Sequence, residues 1–146
     1  KWDEIDEKTW AIPAVRMKAK IAHRIPLSER CLEILEEVKS VSLGSDYIFC
    51  GYKKDKPLSE NTFNKLIKEL GYDVHTHGFR TSFKTWTQEQ TNYPREVAEK
   101  QLAHSLSDKA EAAYARSELL EKRRSLLKKW TDYLQYENTK IVSIRN

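Results

Sequence analysis

Three features in the second half of the chain stand out together as residues that could do chemistry: His77 with Arg80, then His104, then Tyr114. On a helix, His77 and Arg80 sit three positions apart and project to the same side, where an imidazole and a guanidinium can grip one anion together. His104 follows Leu102 and Ala103 where a helix should end. Tyr114 comes ten residues later among Ala112, Ala113 and Ala115, a setting that lets a bulky substrate approach a side chain closely. Taken singly, each has an ordinary structural reading. His77 can cap a helix while Arg80 pairs with an acid, His104 can sit at a helix C-terminal dipole, and Tyr114 can be a packed tyrosine.

The chemistry sets clear demands. A tyrosine hydroxyl has a pKa near 10, so at pH 7 only about one in a thousand is phenolate. A site that uses it as nucleophile must offset roughly 4 kcal/mol or remove the proton during attack. Attack on a phosphodiester spreads negative charge over the nonbridging oxygens, and planar guanidinium groups meet such oxygens with two parallel hydrogen bonds. Arg80 is the candidate clamp.

The elements that must position these residues can be read from caps and periodicity. Thr9 to Pro13 and Ile21 to Leu27 read as two strands of a small hairpin, with the basic segment Ala14 to Lys20 as its loop. Ser28 is the expected N-cap of a helix carrying Cys31, Ile34, Leu35 and Val38 and ending by Gly44. Tyr47 to Cys50 is a candidate strand before the charged loop Gly51 to Pro57. Ser59 should cap a helix with Phe63, Leu66, Ile67 and Leu70 on one face and Gly71 as its stop. His77 to Gln90 reads as a helix with Phe79, Phe83 and Trp86 inward, and Pro94 opens another that runs to His104. Ala110 to Arg116 is short and alanine-rich. A last helix runs from Glu118 to Tyr136, and the tail 139–146 could add a strand to another element or dock on the same or a neighbouring subunit. The fold class expected is mainly α with a small antiparallel β-sheet near the N-terminus, as one domain over residues 1–146.

Composition bounds the function classes. The 146 residues are 33% charged and 10% aromatic with four tryptophans, which excludes a disordered acidic tail or a low-complexity linker. No run approaches the roughly 18 apolar residues of a membrane span, and the first residues do not resemble a signal peptide, so a cytoplasmic protein is expected. Net charge is +4, with 13 basic against 13 acidic residues through Asp73 and 13 against 9 from Val74 onward. This is weak support for a polyanionic partner. Cys31 and Cys50 form no CxxC pair and read as reduced, structural thiols, Cys31 on an apolar helical stripe. No set of ligands has metal-site spacing, His75 beside His77 included, and no metal or other cofactor is expected.

In order, HxxR at His77–Arg80, LAH at Leu102–His104 and a tyrosine ten residues on resemble the C-terminal signature of the tyrosine recombinase (phage integrase) family, the prophage and genomic-island integrases in particular. LAH departs from that family's LGH by one residue, at a backbone position. Trp2 to Asp6 resembles its W-x-x-I-D segment, and Arg16-Met17-Lys18 with His23 to Ser28 its RMK…H-x-VPLS hairpin. Arg123 to Trp130 resembles the R-x-x-L-M-x-x-W helix that follows the tyrosine. The likeness covers nearly the whole chain.

That resemblance implies a DNA breaking-rejoining catalytic core, with site-specific integration or excision through a 3′-phosphotyrosine. Tyr114 is then the nucleophile and Arg80 a phosphate clamp, with His77 and His104 in hydrogen bonding and proton transfer. Lys18 stands at the position of the general acid that protonates the leaving 5′ oxygen, and Arg16, Lys20 and His23 are candidate DNA contacts. Implied partners are double-stranded attachment-site DNA and three further copies in a tetramer on it, with a monomer in solution. The sequence does not begin with Met, as expected of a fragment truncated at its N-terminus. The family's second arginine, in an R-x-x-E setting before W-x-x-I-D, is expected to lie upstream, which would leave these residues weak or inactive alone. The competing readings are a DNA-binding module without catalysis and a type IB topoisomerase-like enzyme.

Overall fold

The computed structural model describes residues 1–42, 44–51, 56–104 and 117–143, with side chains through residue 136. The chain gathers into two compact units, one of Lys1–Asp3 with Ile34–Tyr93 and one of Glu4–Glu33 with Pro94–Asn146.

Helix α1 (Glu29–Lys39) starts where the cap predicts: the Cys31 N–H donates to Ser28 Oγ at 3.3 Å. No side chain of α1 is buried, so its apolar stripe lies at the surface and the Cys31 thiol is exposed, not buried as expected. The strand expected at Tyr47 to Cys50 is reduced to one bridge between Cys50 and Pro57.

Helix α2 (Thr62–Glu69) takes Asn61, not Ser59, as its N-cap; Ser59 contributes its carbonyl, which accepts from the Thr62 N–H. At its other end Gly71 stops the helix as predicted. The Gly71 N–H donates to Lys68 O and the Tyr72 N–H to Ile67 O, the two bonds of a Schellman motif, with Gly71 at φ +87°. Of the expected inward face, Phe63, Leu66 and Leu70 are 44% to 64% exposed.

Helix α3 (Thr76–Gln90) buries Phe83, Trp86 and Thr87, whose hydroxyl donates to Phe83 O. Phe79 shares their stripe but lies about 10 Å along the axis from Trp86, and it is 57% exposed rather than inward. Asn64 Oδ1 accepts from both the N–H and the hydroxyl of Thr76, so a side chain of α2 satisfies the first turn of α3.

In the second unit a three-stranded antiparallel sheet has the order β1 (Ile5–Asp6), β2 (Thr9–Ile12), β3 (His23–Pro26). The expected hairpin is β2 with β3, in register Thr9↔Pro26, Trp10↔Ile25, Ala11↔Arg24 and Ile12↔His23. The extra strand β1 is two residues long, too short to show alternation in the sequence. The β2–β3 connection holds a 3-10 turn at Ala14–Arg16.

Pro94 is the N-cap of α4 (Arg95–Gln101), its carbonyl accepting from the Val97 N–H. Helix α5 (Leu120–Ser143) packs on β3 and on α4. The core of this unit comprises Val97, Ala98, Leu102 and Leu126. No glycine or proline interrupts 120–143, and propagation adds a hydrogen bond per residue, so the helix continues past Tyr136. Residues 139–143, expected as a strand-forming tail, are therefore helical.

Candidate active site

His77 and Arg80 lie in the first unit, in the opening turn of α3, as HxxR requires. His77 is exposed and Arg80 half-buried. His77 is not the cap, a position taken by His75 in extended backbone conformation. The positive end of the α3 dipole and the Arg80 guanidinium favour an oxyanion, while of the turn's backbone N–H groups those of Thr76 and Gly78 are already bonded, to Asn64 Oδ1 and His75 O.

In the second unit, α4 ends in a second Schellman motif. The Ala103 N–H donates to Lys100 O at 3.2 Å and the His104 N–H to Glu99 O at 2.9 Å. Ala103 turns the chain with φ +52°, in the left-handed region where glycine is at ease and other residues are strained. The position at which LAH departs from LGH is thus one whose backbone asks for glycine. The turn folds His104 back over its own helix, and Nδ1 meets Glu99 Oε2 at 2.5 Å. Glu99 is buried, with Arg95 Nε 3.5 Å from its other oxygen.

The basic loop between β2 and β3 carries Lys18 and Lys20, both exposed. Arg16 bonds Glu4, a buried carboxylate that also accepts from Trp10 Nε1 at 3.1 Å. Burial alone would raise the Glu4 pKa, but these donors are among the groups that outweigh it and hold it at about 2. Arg16 therefore anchors the loop while its side chain stays half-exposed.

Arg123, on α5, is 2% exposed. Its guanidinium donates to Gln101 Oε1 at 2.9 Å, to Glu118 O at 3.2 Å and to Arg24 O at 2.5 Å, and lies 3.5 Å from His23 Nε2. Burial lowers its pKa, with Glu118 acting the other way. His23, a candidate DNA contact, is thus half-buried beside a cation. Lys100 Nζ also donates to Ser117 O. Gln101 and Lys100 precede the segment 105–116 and Ser117 and Glu118 follow it, so both roots of that segment are bonded. Tyr114 itself lies outside the described residues.

Two residues of this constellation were given no role from sequence. Glu99 is an acid in the last turn of a helix, where the dipole disfavours it, and that anomaly was its signal. Arg123 interrupts the apolar period of α5, and a cation on such a stripe marks a buried, bonded charge.

Residues 1–121 match the phage integrase family. The chain is 34% identical over 164 aligned positions to the integrase of Enterobacteria phage P4, covering 99% of this chain and 37% of that protein. It is 38% identical over 140 positions to prophage integrase IntA of Escherichia coli (strain K12), covering 92% and 34%. Against the integrase of Shigella phage Sf6 it is 32% identical over 139 positions, covering 91% and 36%. The chain therefore spans little more than a third of the length of these relatives. No solved structure matches it.

Proposed function

The chain belongs to the phage integrase family, and from that premise we propose that the protein containing it recombines DNA at specific sites by cutting and rejoining strands through a tyrosine. One observation carries this reading: the ordered set His77, Arg80, His104 and Tyr114 stands within residues 1–121, which match the family.

The Tyr114 hydroxyl attacks the scissile phosphorus, the bond to the 5′ oxygen breaks, and the product is a 3′-phosphotyrosine with a free 5′ hydroxyl. Arg80 holds the nonbridging oxygens near the positive end of the α3 dipole, with His77 beside it. His104 accepts or donates a proton at the phosphate, and Lys18 protonates the departing 5′ oxygen. Because the phosphodiester energy is kept in the phosphotyrosine, the reverse attack reseals the strand without ATP. Lys20, Arg16 and His23 lie on or beside the basic loop and suit contacts to the DNA backbone. The partner is attachment-site duplex DNA in the bacterial cytoplasm, bound by a tetramer.

A nicked suicide DNA substrate tests this with the full-length protein. Tyr114→Phe should abolish the covalent adduct and leave salt-dependent DNA binding nearly intact. An adduct that persists in Tyr114→Phe, or DNA binding with no adduct in the parent protein, would overturn it; the second result would favour a binding module.

A further inference from the structure

We propose that Glu99 is a positioning residue for the cleavage step: it holds the His104 imidazole by Nδ1 so that Nε2 is the nitrogen offered to the phosphate. The inference rests on the recombinase reading and adds to it a residue outside the recognised motifs.

Three observations carry it. Glu99 is a carboxylate 4% exposed, set beside the buried Val97 and Ala98 on a seven-residue helix. Burying a carboxylate is costly unless it is bonded, and an apolar residue would serve packing alone better. Its carboxylate meets His104 Nδ1 at 2.5 Å, closer than Arg95 Nε, which lies 3.5 Å from the other oxygen. The Schellman motif fixes that bond, since the His104 backbone N–H donates to the carbonyl of the same glutamate. One residue thus receives both the backbone and the ring of His104, which leaves the ring little freedom to turn.

The chemistry follows from the two nitrogens of imidazole. A carboxylate at Nδ1 keeps a proton there, so the neutral ring has its lone pair at Nε2 and the charged ring has its second N–H there. Either way Nε2 is the atom that exchanges a proton or hydrogen bond with substrate. Without Glu99 the ring can also adopt the opposite tautomer or rotate, and only part of the population has Nε2 ready. Partners that orient a functional histidine in this way are typically worth about 10- to 100-fold.

The test uses the full-length protein and the nicked suicide substrate under single-turnover conditions. Glu99→Gln should slow formation of the Tyr114 adduct about 10- to 100-fold with DNA affinity unchanged, and Glu99→Asp, too short to reach the ring, should be slowed as well. In a His104→Ala background, Glu99→Gln should slow the reaction no further, because the residue acts only through the ring. Wild-type rates in Glu99→Gln, a parallel loss of affinity, or an equal loss with and without His104 would each overturn the proposal. An absence of adduct in the parent protein would instead overturn the recombinase reading on which it stands.

Discussion

The two Schellman motifs form a matched pair from which a stability difference can be worked. Helix α2 ends with Gly71 at φ +87° and helix α4 with Ala103 at φ +52°, and the two stops have the same hydrogen-bond pattern. An L-residue in the left-handed region loses roughly 1–2 kcal/mol to the crowding of its Cβ against the next carbonyl. Glycine gives back about 0.4–1 kcal/mol, because the unfolded chain is freer. Ala103→Gly should therefore stabilise by about 0.5–1 kcal/mol, which for a chain of this size raises Tm by roughly 2–3 °C. A Cβ added at Gly71 meets nothing within 4 Å, so Gly71→Ala should cost a similar amount through the backbone alone. Ala103→Val, β-branched, should fall below wild type. Urea and thermal unfolding followed by circular dichroism would read all three. A fall in stability for Ala103→Gly, or the same sign for both glycine–alanine exchanges, would refute the assignment of the strain to Ala103.

Other consequences follow from the buried charges. Arg123→Met should destabilise by about 3 kcal/mol or more in urea unfolding, because it orphans the carbonyls of Arg24 and Glu118 and the amide of Gln101. Arg123→Lys should recover only part of this, since an ammonium lacks the planar fork. Glu4 has a folded pKa of about 2 against an ordinary 4.5. Its stabilisation is therefore complete above pH 4.5 and is lost as pH falls from 4.5 through 2. Glu4→Gln should remove that slope from urea midpoints measured between pH 2.5 and 6.

Much of the local structure could be read from single residues. Ser28 and Gly71 marked a start and a stop because caps are local chemistry, and Phe83 and Trp86 were correctly placed inward by helical spacing. Periodicity, however, identifies which face is apolar without saying how far the cover extends, which is why Phe79 and Cys31 are exposed. The candidate site was legible as order and spacing. His77 and Arg80 share a helical turn as expected, while His104 turned out to be held by its own helix rather than only resting at its dipole. Glu99 and Arg123 gain their roles from partners that only folding brings to them, Arg24 being 99 residues from Arg123.

That separation has a consequence for biosynthesis. At about 5–20 residues per second, roughly 5–20 s pass between the synthesis of Arg24 and that of Arg123. Until α5 has left the ribosome, the hairpin and the helix leading to His104 lack the guanidinium that bonds both. A polypeptide terminated before α5 therefore carries the Arg24 carbonyl and the Gln101 side chain without their shared partner. The joining of the hairpin to the helix that leads to His104 thus waits on a residue made 99 positions after its hairpin partner.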